Sequence, residues 1–256
     1  MLVALTRPVP TSIAECELTH LKREPIYWAR ATEQHRQYEA ALVSLGCRVE
    51  HLPVQPALPD SVFVEDTAVV VDECAVIARP GAKSRRGETA TVAKTLGAYR
   101  TLSKIVAPGT LDGGDVLQIG RRIYVGLSSR TNTDGARQLA AFLQPFGYTV
   151  QTTTVRECLH LKSAVSTLPD GRLLLNPRWI DGAAFAVPYL EVDAMEPHAA
   201  NVLCVSKTVV CPATAVRTRK RLQSEGYEVV SVDASELAKA EAGLTCCSIV
   251  FWADIG

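Results

Sequence analysis

The 256-residue sequence has no Cys-x-x-Cys pair, no His-x-x-x-His pair, no run of 18 consecutive apolar residues and no excess of charge of either sign. Each absence excludes a class of protein. Without such spacings, the eight cysteines at 16, 47, 74, 158, 204, 211, 246 and 247 suggest neither a structural zinc site nor a disulfide scaffold. Without a long apolar run, no membrane-spanning helix is expected. Lys plus Arg and Asp plus Glu are equal at 27, and the pI is about 6.9. That balance offers no basic field for nucleic acid and no polybasic face for an anionic membrane. The apolar run Leu2-Val3-Ala4-Leu5 is too short for a signal peptide and follows no basic residue. The expectation is a cytoplasmic protein with reduced thiols and a small-molecule partner.

What the sequence does contain is a repeat. Between Tyr27 and Leu45, the residues Ala31, Tyr38, Ala41, Leu42 and Leu45 recur at helical spacing, Gly46 stops the helix, and Cys47–Leu52 alternates as a strand. The same order returns at Ala136–Phe146, Gly147 and Tyr148–Val150, and again at Val216–Glu225, Gly226 and Tyr227–Val230, with a weaker copy at Glu88–Leu96. Candidate hairpins join Ala68–Val71 to Ala75–Ala78, Val116–Ile119 to Ile123–Gly126, Val165–Leu168 to Leu173–Asn176, and Val202–Val205 to Val209–Cys211. Counting the apolar strand after Cys247, one unit recurs every ~40–50 residues. A fifth unit is complete only if Ser248–Phe251 pairs with Val3–Leu5, which would close the array and remove its open edge. The predicted fold is therefore α/β. It is a five-bladed closed ring (an α/β propeller) of strand-strand-helix-strand modules, as a single domain over residues 1–256, with an open α/β sheet as the alternative.

Polar residues stand just before the first strand of successive units: Glu65-Asp66, Asp112-Gly113-Gly114-Asp115, His160-Leu161-Lys162, Asn201 and Cys246-Cys247. Singly, each has a plain explanation. Asp66 caps a turn, the Gly pair supplies positive φ, His160 is a core histidine, Asn201 caps local backbone, and the thiols are small buried groups. Their shared register argues instead for one central pocket. A thiol there needs a base, a cationic neighbour or a cationic substrate to ionise.

Six motifs sharpen the reading: Phe63-Val64-Glu65-Asp66; Arg79-Pro80-Gly81-Ala82 with Ser84-Arg85-Arg86; Leu111-Asp112-Gly113-Gly114-Asp115; Ser129-Arg130-Thr131-Asn132; Leu159-His160-Leu161-Lys162-Ser163; and Gly243-Leu244-Thr245-Cys246. In order and spacing, over nearly the whole chain, these resemble the dimethylarginine dimethylaminohydrolase family. The resemblance implies a five-module ring and a hydrolase for asymmetric dimethylarginine, and for monomethylarginine, that needs no metal and no cofactor. It assigns Cys246 as nucleophile with Cys247 as a neighbour, His160 as acid and then base, and Asp112 as the group orienting His160. Asp115 is structural. Asp66 is expected to accept two N–H bonds from the guanidinium, with Glu65 and Asp60 adding charge or polar contact at the entrance. Arg85 and Arg130 match positions that bind the α-carboxylate, Leu18 falls in a lid over Ser12–Glu24, and the main chain at Ala240–Glu241 meets the α-amino group. Glu241 departs from the family, which often has Asp there. Related arginine deiminases and guanidino-group transferases are the rival enzymes, and a binding ring of related fold is the non-catalytic rival. A monomer or homodimer is expected, as is inhibition by adventitious zinc at the thiol–imidazole pair.

Overall fold

A computed structural model describes residues 1–253, and Asp254–Gly256, the end of the expected domain, lie outside the described residues. The strands form five three-stranded sheets that share one pattern, in which a first strand runs antiparallel to a middle strand and the middle strand runs parallel to a third. In chain order, β1 (Leu2–Thr6) leads through helix α1 (Trp28–Ser44) to β2 (Arg48–His51). The next unit contains β3 (Ala68–Val70), β4 (Cys74–Ile77), α2 (Thr89–Leu96) and β5 (Thr101–Lys104). It is followed by β6 (Val116–Ile119), β7 (Arg122–Leu127), α3 (Thr133–Leu143) and β8 (Thr149–Thr154). A single turn, α4 (Leu161–Ala164), precedes β9 (Val165–Thr167), β10 (Leu173–Leu175) and β11 (Tyr189–Glu191). The chain then makes β12 (Leu203–Val205), β13 (Thr208–Pro212), α5 (Val216–Ser224), β14 (Glu228–Val232), the short α6 (Ser235–Ala238) and β15 (Ile249–Trp252).

Local chemistry accounts for most of these boundaries. In α1 the buried residues Ala31, Gln34, His35, Tyr38 and Leu42 share one helical face. The expected glycine stops at 46, 147 and 226 take left-handed φ of 91°, 79° and 88°. At the start of α3 the Asn132 side chain accepts from Gly135 N at 2.8 Å, which caps the helix.

One expectation fails. Between β10 and β11, residues 176–188 carry no α-helix, only a short 3-10 turn at Gly182–Phe185. Pro177 and Pro188 bracket this stretch and withhold two backbone donors, so the third strand-strand unit reaches its parallel strand through irregular chain.

The closing pair forms as expected, with its strand starting at Ile249, one residue late. Val3 faces Phe251, Ala4 faces Val250 and Leu5 faces Ile249, antiparallel. The Met1 ammonium donates to Ala253 O at 2.8 Å, and Ala253 N donates to Met1 O at 2.8 Å.

Apolar clusters join each sheet to the next. Val69 and Val76 pack with Ile123, Leu139 and Leu143, while Leu117 and Tyr124 pack with Leu173 and Leu175. Leu174 and Val192 share a core with Val209 and Leu222. Two further clusters involve the closing sheet: Val3, Leu5 and Phe251 meet Ala75, Val92 and Leu96, and Ala4, Tyr38 and Leu42 meet Val205, Val210 and Val232. Among the described residues no helix is long and apolar enough to cross a membrane.

Every first strand is entered through one tight helical turn. These turns are Val64–Thr67, Gly113–Asp115, Leu161–Ala164, Pro197–Ala200 and Thr245–Cys247, and they carry or adjoin the five polar stations.

Candidate active site

Asp112 and His160 reach each other from two such turns. Asp112 is fully buried; its Oδ1 accepts from Gly81 N at 2.9 Å and its Oδ2 lies 3.1 Å from His160 Nε2. The other ring nitrogen, Nδ1, stands 3.7 Å from Asp66 Oδ1, which accepts from Gly114 N at 2.9 Å. Gly114 is small for a reason of space. A Cβ there would sit 2.7 Å from both Asp66 Oδ1 and His160 Nδ1, and neither Gly113 nor Gly114 has the positive φ that a tight turn would need. Asp115 is structural: Oδ1 accepts from Leu161 N at 3.0 Å and Oδ2 from Ser128 Oγ at 2.6 Å.

These neighbours set the protonation states. Burial opposes charge on His160, but Asp66, Asp115 and Asp112 together outweigh it and raise the imidazole to about 9. Burial likewise opposes ionisation of Asp66, yet His160 and Arg85 hold its carboxyl down at about 2. Burial pushes Asp115 up to about 6, against the pull of His160. At neutral pH the resting site therefore contains an imidazolium against a carboxylate.

The two thiols behave differently. Cys246 Sγ accepts from Gly243 N at 3.4 Å, while burial, Glu65 and Asp66 push its thiol well above the usual range. Cys247 is pushed to about 12, mainly by burial, and its sulfur turns toward Gly243 O at 3.9 Å, next to the Tyr38–Ser248 hydroxyl pair. Only Cys246 opens onto a cavity shared with His160, Asp66, Asp60, Arg85, Arg130, Ala240 and Glu241. The space measures about 20 Å³, enough for a water but not for an amino acid. A larger cavity of about 450 Å³, on the other side of Glu65 and Thr245, is lined by neither Cys246 nor His160.

The remaining expected residues separate into three groups. Glu65 does not line the small cavity; it accepts from Lys162 Nζ at 2.7 Å and from Thr245 Oγ1 at 2.6 Å, so it lies under the thiol rather than at an entrance. The two arginines differ. Arg85 Nε and Nη2 donate to Glu88 at 3.1 and 2.8 Å, Nη1 donates to Asp66, and Nη2 also donates to Phe63 O at 3.0 Å. Arg130, 7% exposed, donates from its side chain to Thr19 Oγ1 at 3.2 Å and forms no ion pair among the described residues. Leu18, within the Ser12–Glu24 segment, packs against the core, and Glu241 at φ 58° turns its carboxylate to accept from the N–H groups of the next three residues, Thr19, His20 and Leu21. Asp60 holds the near edge of the same segment, accepting from Glu17 N at 3.1 Å.

Sequence reasoning missed Glu17 and Glu88, along with the joint roles of Lys162, Thr245 and Asn201. Lys162 stands within a quoted motif, but nothing in the sequence says which acid it meets. Asp66, Asp112 and His160 also place possible ligand atoms within 4.8 Å of one another, the one such metal-sized group among the described residues.

The family model for N,N dimethylarginine dimethylhydrolase, eukaryotic, matches residues 14–165. A dimethylarginine dimethylaminohydrolase of Streptomyces coelicolor is 42% identical, with 96% of this chain and 95% of that one covered. The corresponding protein of Pseudomonas aeruginosa is 37% identical, covering 88% and 89%. The chain belongs to the dimethylarginine dimethylaminohydrolase family. A cysteine-to-serine mutant of the Pseudomonas aeruginosa family member, solved with citrulline, superposes with a TM-score of 0.92 at 35% identity over 97% of this chain and 98% of that one. An arginine dihydrolase domain bound to product, at 20% identity and a TM-score of 0.88, shares the fold.

Proposed function

We propose that the protein hydrolyses asymmetric dimethylarginine, and also monomethylarginine, to citrulline and dimethylamine or methylamine. The observation carrying this reading is the buried cavity in which one thiol, one imidazolium and two aspartates converge, in a chain whose relatives bear that activity in their names.

The chemistry follows from the charges. At rest the Cys246 thiol is protonated, because burial and two carboxylates oppose a second negative charge. A guanidinium entering beside it supplies the missing positive charge and lowers the cost of the thiolate, whose proton is given up to the water that the substrate displaces. Asp66, with Asp60 near it, receives the guanidinium N–H groups. The thiolate forms a bond to the central guanidinium carbon. The C–N bond to dimethylamine then breaks, and the amine leaves with a proton from His160. Water adds to the remaining S-alkylthiouronium carbon and gives a proton to His160; the C–S bond breaks, releasing citrulline and the sulfur of Cys246. Asp112 keeps the imidazole oriented throughout.

At the far end Arg130 and Arg85 face the α-carboxylate. Arg130 is the freer cation, whereas Arg85 must share its fork with Asp66 and Glu88. The main chain at Ala240–Glu241 meets the α-amino group, and the segment with Leu18 closes over the substrate. We read residues 1–256 as one domain whose five sheets form a closed ring. The β1–β15 pairing and five clusters that each bridge two neighbouring sheets support this reading. Cysteines that are all unpaired fit a reducing cytoplasm, and a monomer or homodimer suits the small-molecule chemistry.

The deciding experiment measures both products from the purified protein. Dimethylamine from asymmetric dimethylarginine should exceed ammonia from arginine; the reverse would make the protein a deiminase. Added zinc should inhibit, and chelator should activate or do nothing.

A further inference from the structure

Asn201 is the polar station that the mechanism leaves idle, yet it is 5% exposed and fully engaged. Its Oδ1 accepts from Thr245 N at 3.0 Å, while its Nδ2 donates to Thr245 Oγ1 at 3.0 Å and to Lys162 O at 3.0 Å. The Thr245 hydroxyl passes the chain on, donating to Glu65 Oε2 at 2.6 Å, and Glu65 Oε1 accepts from Lys162 Nζ at 2.7 Å. Four groups from four separate turns thus close a loop of hydrogen bonds around the residue preceding Cys246. Gly243 seals the loop from above: a Cβ there would stand 2.2 Å from Asn201 Cγ and Oδ1, and Gly243 N is the group that donates to Cys246 Sγ.

We propose that Asn201 is a positioning residue of the reaction, acting through Thr245 to hold the turn Thr245–Cys247 so that the Cys246 sulfur faces the cavity. This rests on the assignment of Cys246 as nucleophile. The physical reason is that a 3-10 turn of three residues has almost no hydrogen bonding of its own. Its orientation must come from side chains outside it. Glu65 would otherwise be a bare carboxylate beneath the thiol, where it opposes thiolate formation; Lys162 neutralises it and Thr245 takes up its second oxygen. Removing either bond to Thr245 lets the turn tilt. A displacement of about 1 Å at a nucleophile costs on the order of 10²-fold in rate.

The test is a double-mutant cycle with a rescue arm. Asn201→Ala and Thr245→Val should each lower kcat by about 10²-fold while changing KM by less than about 3-fold. The double variant should lose clearly less than the product of the two single losses, because the bond from Asn201 Nδ2 to Thr245 Oγ1 is common to both. Thr245→Ser, which keeps the hydroxyl, should restore most of kcat. The rate at which iodoacetamide labels Cys246, followed by mass spectrometry across pH, should fall in the two damaged variants and recover in Thr245→Ser. If Asn201→Ala does not fold, the Val and Ser variants at 245 carry the test. Wild-type kcat in folded Asn201→Ala, equal losses in the Ser and Val variants, or additive losses in the double variant would overturn the proposal. Cys246→Ser is run in parallel: if it keeps turnover, the nucleophile assignment fails. If it is inactive while Asn201→Ala is normal, only the positioning role of Asn201 fails.

Discussion

The two ends of the small cavity are held by different means. At the end with the thiol and the imidazole, Asp66, Asp112, His160 and Cys246 are each at most 9% exposed and are fixed by bonds from turns that belong to packed sheets. At the other end, residues 17–24 are mostly exposed, and one carboxylate, that of Glu241, gathers three of their backbone N–H groups. The first end is costly to disturb, because any shift strands a buried charge. The second yields cheaply, since water can replace Glu241 at each N–H. A cavity with room for one water must widen to admit an arginine derivative, and the second end is the one that costs less to move.

Variants that exploit this contrast should differ in kind. The largest loss is expected from Cys246→Ser, which should reduce kcat by about 10⁴-fold or more. Its neighbour Cys247→Ser should keep most of the activity, and rapid-quench mass spectrometry should find a covalent adduct on Cys246 alone.

His160→Gln comes next, with a loss of about 10²–10⁴-fold in kcat and a signature in stability. The folded imidazole titrates near 9 against an ordinary 6.5. The stabilisation gained by protonating it is therefore full below about 6.5 and disappears as pH rises through about 9. The Tm gap between wild type and His160→Gln should shrink over that interval; a gap independent of pH would contradict the charge network.

Arg130→Met should raise KM by about 10-fold or more with a smaller change in kcat, the cost of one charge-assisted contact. Arg85→Met should instead destabilise the fold, because Asp66 and Glu88 would be left buried without their cation. The smallest effect belongs to Glu241→Gln. A neutral amide still accepts but loses the charge, so KM should rise only a few-fold while limited proteolysis between Cys16 and Glu24 quickens. Unchanged proteolysis would show that the carboxylate does not hold the lid.

How much of this was legible in the sequence follows from the same contrast. The end with the thiol and the imidazole was readable because it follows a repeat: Asp66, Asp112, His160 and Cys246 each stand two to five residues before the first strand of a unit, in or beside its entry turn. The β1–β15 ladder was readable too, since the strand after Cys247 lacked a middle strand and the N-terminal strand lacked a first one. What the repeat could not supply is side-chain direction. Glu65 and Asp66 are adjacent, yet one points into the cavity and the other beneath it, a choice made by Lys162 from another unit. Arg85 and Arg130 matched the same role, but Glu88, an ordinary acid in sequence, captures only the first. The missing helix after β10 left a sign in Pro177 and Pro188, which the strand pattern around them masked.

The ladder between β1 and β15 has one more consequence. Because β1 lies against β15, the order in which the units follow one another along the polypeptide is not what brings the cavity residues together. A chain restarted at the Gly120–Arg121 turn, with Ala253 and Met1 joined through a linker, is expected to keep the contacts in the cavity. The site is a property of which neighbours meet, not of where the chain starts.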